Sequence, residues 1–135
     1  MLRSLIVFPL FLGVAFVLSQ ELIYEPLIVP RLSTWKEIPV YWWVAAFAPE
    51  VIVCLAAALM TKPAKEWLSF CASGALVITT VQWVAGLLNQ PGHSKVIEGG
   101  PLHFAVQLIT VGALIFVFVA SVRLARLAVL RAHAS

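Results

Sequence analysis

At 135 residues the chain has room for one domain, but 62% of its residues are apolar and 11% charged, against about 45–50% and about 25% in soluble domains. That composition excludes an ordinary water-soluble fold, because the apolar surface would have to be exposed; in lipid the same surface is the solvated one. The net charge of +3 sits mostly at the chain ends and in one short loop, a pattern of membrane orientation rather than of a nucleic-acid surface.

The first apolar run covers 5–24. "MLRS" followed by "LIVFPLFLGVAFVLS" also has the form of a signal peptide with cleavage after Ser19. Apolar character continues past Ser19 through "LIY", which favours a retained anchor helix. The connection 20–39 follows. Within its "STWKEIP", Thr34 and Glu37 have capping-box spacing and predict a short interfacial helix. Trp35, Tyr41, Trp42 and Trp43 cluster where the second span begins, as amphipathic anchors do at a membrane surface.

The second span is 40–60. A connection of only six residues, 61–66, leads to the third span, 67–88, so these two are expected to form a tight antiparallel hairpin. The fourth span, 102–122, continues into a basic tail, 123–135, whose arginines suit anionic lipid headgroups. Each run is long enough to cross a ~30 Å hydrocarbon core at ~1.5 Å per residue, and lipid forces each to be helical. The expected fold is an all-α integral membrane protein. It is a single domain over 1–135, an antiparallel four-helix transmembrane bundle without internal repeats.

Lys and Arg set its orientation. Arg3, Lys62, Lys65, Arg123, Arg126 and Arg131 fall on one face, and Arg31, Lys36 and Lys95 on the other. Cytoplasmic loops carry the excess, so both termini are expected inside (N-in/C-in), His93 outside, and the protein in a bacterial inner (cytoplasmic) membrane.

Small or polar residues recur at helical spacing on three spans. They are Trp43, Ala46, Glu50, Cys54, Ala57 and Thr61; then Cys71, Ala75, Thr79, Gln82, Gly86 and Asn89; then His103, Gln107 and Thr110. Span one adds Gly13 and Gln20. Small residues let membrane helices approach, and polar ones bond between them. The strongly polar members, however, all fall in the outer half. Glu50 and Thr79 lie near the midplane, and Gln82 and Gln107 about 6–8 Å further out at ~1.5 Å per residue. Such asymmetry predicts a polar cleft that opens outward and ends at Glu50.

Glu50 is the strongest lead. A charge at the bilayer centre costs at least ~2.5–3.5 kcal/mol and marks a functional site by default. It is expected to rest as the neutral acid, bonded to Gln82 or Gln107. Pro49 beside it removes a backbone donor and frees the carbonyl of Ala45. Glu50, Gln82, Gln107, His103 and Thr79 are therefore the candidate ligand- or proton-binding residues.

Other chemistries lack a signature. Cys54 and Cys71 show no metal-ligand spacing, and the only outer partner for His103 in haem ligation would be the loop residue His93. No metal or cofactor is expected. Nucleotide-binding and hydrolase motifs are missing from the sequence, so no catalytic residue is assigned. Two functions remain. One is a small accessory or scaffolding subunit of a larger membrane complex, or a homo-oligomer. It would present Phe8, Phe11, Val14 and Leu18 of span one and Phe116, Phe118 and Val119 of span four to its neighbour. The alternative is a transport-type protein that binds a proton, a cation or a lipophilic ligand in the Glu50 cleft.

Overall fold

The computed structural model describes residues 2–88 and 100–134. Of the expected third connection, 89–101, residues 89–99 with Asn89, His93, Lys95 and Glu98 lie outside these residues, and Gly100 and Pro101 begin the last helix. Among the described residues four helical segments are long and apolar enough to cross a membrane: Arg3–Glu37, Val40–Met60, Lys65–Leu87 and Gly100–Ala134. They fit a membrane protein built as a helical bundle.

The first segment is longer than its apolar run. A π-helical turn, Arg3–Val7, leads into α1, Phe8–Ser19. A second π-helical stretch, Gln20–Ile28, contains Pro26, and a 3-10 stretch, Val29–Glu37, follows. Of the expected connection 20–39, residues 20–37 are thus helical, well beyond the short interfacial helix expected within it. Pro26 has no N–H to give and its ring crowds the carbonyl one turn back; a π-helical widening shifts the bonding to i→i−5, as in Val29 N–H to the Tyr24 carbonyl. The predicted capping box does not form. Thr34 has non-helical angles (φ −119°, ψ 45°), and its hydroxyl donates to the Arg31 carbonyl at 3.3 Å. The chain turns at Ile38, which is extended (φ −71°, ψ 125°) as a residue before proline prefers to be.

Helix α2 is Val40–Met60 and runs on through Pro49. Helix α3 is Lys65–Leu87. Helix α4, Gly100–Ala134, is a single run of 35 residues, about 52 Å at 1.5 Å per residue. It exceeds a ~30 Å hydrocarbon core, so the basic tail is helical and continuous with the last span.

The packing order differs from the expected one. α1 packs on α2 and α3, α4 packs on α3 and α2, and α2 touches α3 little despite their short link. Around the bundle the helices run α1–α2–α4–α3. The contacts give the directions as well. Phe8 meets Phe70 edge to face, ring centroids 6.4 Å apart, and Gly74 faces Leu12, so α1 and α3 are parallel neighbours. Gln107 meets Gln82 and Gly112 meets Ala75, so α3 and α4 are antiparallel. The bundle is therefore two hairpins, α1–α2 and α3–α4, laid side by side. The shortness of the 61–66 connection predicts an α2–α3 hairpin; the close approaches that glycine permits lie instead on α1–α3 and α3–α4.

One apolar core joins all four helices, with Phe8, Leu12, Phe16, Phe70, Ile115 and Val119 among its buried members. Phe8 and Val119 thus point inward, not to a neighbour. Phe11, Val14, Leu18 and Phe116 are exposed. A smaller cluster of Ile28, Ile38 and Ala46, flanked by Tyr24, Trp42 and Trp43, seals the end where α1's extension covers α2.

Candidate functional site: the Glu50 pocket

Most of the described stripe residues face the interior, although Thr110 is exposed. Ala46, Cys54 and Ala57 of α2 are buried, as are Cys71, Ala75 and Thr79 of α3. Glu50 is half-buried among them.

Its hydrogen-bond partner is Ser19, the last residue of α1: Ser19 Oγ donates to Glu50 Oε1. The same hydroxyl lies 3.1 Å from the carbonyl of Phe16. A serine hydroxyl carries one proton and two lone pairs, so two arrangements satisfy the contact. Ser19 can donate to a carboxylate. Alternatively it donates to Phe16 and accepts a proton from the neutral acid. The pair therefore holds Glu50 in either charge state without moving a side chain.

The second oxygen has no such arrangement. Glu50 Oε2 is buried and has no hydrogen-bond partner. Glu50 lines a cavity of about 340 Å³ together with residues from all four helices. Leu12, Phe16, Ile78 and Ile115 form its buried floor, and Phe47, Val51 and Leu114 its exposed rim. The mouth thus lies between α2 and α4 on the outer surface of the bundle, and besides Glu50 the lining residue with a polar side-chain atom is Cys54.

The two glutamines are occupied elsewhere. Gln107 Nε2 donates to Gln82 Oε1 at 2.9 Å, tying α4 to α3. Neither lines the Glu50 cavity, and neither do Thr79 or His103. Thr79 is fully buried and its hydroxyl has no partner. His103 is half-buried in the first turn of α4. The structure thus brings Gln82 to Gln107 and leads Glu50 to Ser19 instead. Sequence reading passed over Ser19 because its partner is 31 residues away and a first span of 5–24 puts Ser19 near its outer end. With helix from Arg3 to Glu37, Ser19 lies near the middle of its segment, level with Glu50 at the middle of α2.

Cys54 and Cys71 are free and buried. Among the described residues no three His, Cys, Asp or Glu side chains lie together in a way that could hold a metal ion. No protein-family model matches the chain, and no curated protein or solved structure matches it either.

Proposed function

We propose that this is an integral membrane protein of a bacterial-type inner membrane, both termini cytoplasmic, that binds a lipophilic ligand at Glu50. One observation carries the reading. Glu50 is the one charged residue in the lining of a cavity whose other side chains are apolar apart from the Cys54 thiol, and its Oε2 is buried with no partner. An unsatisfied buried polar group costs about 1–3 kcal/mol, and a ligand in the cavity towards which the carboxyl group turned to accept one hydrogen bond would recover that cost. In a bilayer the mouth between α2 and α4 opens onto acyl chains, so the ligand reaches it through lipid. Glu50→Gln preserves shape and the contact with Ser19 but replaces one acceptor oxygen by a donor. It is expected to fold and assemble normally and to lose the lipophile that co-extracts with the wild type, read by native mass spectrometry. Retention of that lipophile by Glu50→Gln would refute the assignment, and Glu50→Ala is expected to be destabilised.

A second reading, an accessory or scaffolding subunit, is favoured by α4. Of its 35 residues only Ile115 and Val119 are buried, and Leu102, Val106, Ile109, Leu114 and Val117 are exposed. That face suits another membrane subunit or a second copy as well as it suits lipid. A strictly monomeric protein with no co-purifying partner in mild detergent would count against it.

A further inference from the structure

We infer that the cleft of Arg31, Thr34, Glu37 and Trp42, where the first segment turns into α2, holds the headgroup of a phospholipid that carries both a phosphate and a primary ammonium, as phosphatidylethanolamine does. The site is separate from the Glu50 cavity and does not depend on it.

Depth points to a lipid. α2 has 21 residues, about 31 Å at 1.5 Å per residue, which matches a ~30 Å hydrocarbon core. Residues just before Val40 therefore lie at headgroup level. Val40, Tyr41 and Val44 are exposed beside the cleft and give acyl chains an apolar surface to lie on.

Charge points to a zwitterion. Arg31 and Glu37 line the same cleft and are both exposed, yet no ion pair joins them. Among the described residues Glu37 has no hydrogen-bond partner either. A positive and a negative group thus share one cleft without neutralising each other. Lys36 does not alter this balance, because it is not in the lining and its Nζ lies over the Trp35 ring, 5.7 Å from the centroid. A ligand with both charges on a short linker can lie between Arg31 and Glu37 and satisfy the two together. A net anion would satisfy Arg31 and leave Glu37 against like charge.

Hydrogen bonding assigns the two ends. Arg31 Nη1 donates to the Leu27 carbonyl at 2.9 Å, and the guanidinium carbon lies 5.2 Å from the centre of the Trp42 ring. These contacts hold the guanidinium in place, and one bond does not use up its N–H groups. A fixed guanidinium fork matches a phosphate. The Thr34 hydroxyl donates its proton to the Arg31 carbonyl at 3.3 Å, which leaves its lone pairs to accept. With the Glu37 carboxylate it can receive N–H bonds from an ammonium. A choline headgroup has no N–H to give. It would need an aromatic face instead, and the Trp42 ring already carries Arg31.

The test uses the full chain in mild detergent with equimolar phosphatidylethanolamine, phosphatidylcholine and phosphatidylglycerol of identical acyl chains, read by native mass spectrometry. The ethanolamine lipid is expected to be retained at least about fivefold over each of the others. Arg31→Gln should lower its retention at least about fivefold. Glu37→Gln should remove its advantage over phosphatidylglycerol and leave phosphatidylglycerol bound as before or better. A uniform loss of all three lipids in Glu37→Gln would mark that residue as structural and overturn the ammonium assignment. Excess glycerophosphoethanolamine, the same headgroup without chains, should leave the lipid bound; displacement would overturn the lipid as the source. Preferential retention of phosphatidylglycerol would overturn the zwitterion assignment, and retention of phosphatidylcholine equal to that of the ethanolamine lipid would overturn the N–H assignment. Equal retention of all three, no retention of any, or a preference that survives either substitution would overturn the site itself.

Discussion

A methyl group placed on Gly13 would lie 2.5 Å from Cγ1 of Val77. α1 and α3 therefore meet with no space for a side chain at that point. Valine is stiff in a helix, with one strongly preferred rotamer, so it cannot swing aside at little cost. Gly13→Ala is expected to lower stability by about 1–3 kcal/mol, the usual penalty for overpacking. Val77→Ala in the same chain should restore most of the loss. Denaturant titration in detergent micelles measures both, and an unchanged midpoint for Gly13→Ala would contradict the close approach.

Ser19 and Glu50 should be coupled energetically. Ser19→Ala leaves the carboxyl group of Glu50 without its side-chain partner, at an expected cost of about 0.5–2 kcal/mol. Glu50→Leu in a Ser19→Ala background should then cost less than in the wild type, because the buried acceptor has gone. Strict additivity of the two substitutions in a double-mutant cycle would mean that the two side chains do not bond.

The proposed orientation is open to chemical labelling. In a Cys54→Ala, Cys71→Ala background, Lys62→Cys should react with an impermeant maleimide only from the cytoplasmic side. Lys36→Cys should react only from the opposite side. The motive is the six-to-three division of Lys and Arg between the faces; the reversed pattern would invert the topology.

The link between α2 and α3 stores a small strain. Ala64 has φ 65° and ψ −77°, and Lys65 N–H bonds back to the Pro63 carbonyl at 2.9 Å. This is a γ-turn of the strained type with positive φ. Glycine adopts such angles without a Cβ penalty. Ala64→Gly is expected to raise stability, by up to about 1 kcal/mol after the extra chain entropy of glycine is counted. A loss of stability would show that the turn is not strained.

Much of the architecture was legible in the residues, and what was missed has identifiable causes. The run 40–60 ends at Pro39 on one side and "TKP" on the other, and α2 covers those same residues. The first segment was cut short at Tyr24 because Glu21, Glu25, Pro26 and Pro30 read as a surface connection; π-helical and 3-10 bonding carries the helix through them. That lengthening moves Ser19 from an outer end to mid-segment, which the sequence alone did not reveal. The inward stripes were readable from helical periodicity. Which stripe residue meets which was not, since it depends on the order of helices around the bundle. Nearness in sequence suggested α2 beside α3, whereas Gly13, Gly74 and Gly112 direct the close contacts elsewhere.

The side-by-side hairpins have a consequence for how the chain reaches its final state. Each hairpin closes on a contact of its own, Ser19 with Glu50 in one and Gln82 with Gln107 in the other. The first can therefore complete itself in the bilayer while α3 and α4 are still being synthesised. Only the Thr61–Ala64 link holds the halves together covalently. Severing it leaves two hydrophobic inserts with matching faces, Phe8 and Leu12 on one and Phe70 and Gly74 on the other. Two co-expressed polypeptides, split between Lys62 and Pro63, should find each other in the membrane plane and rebuild the whole.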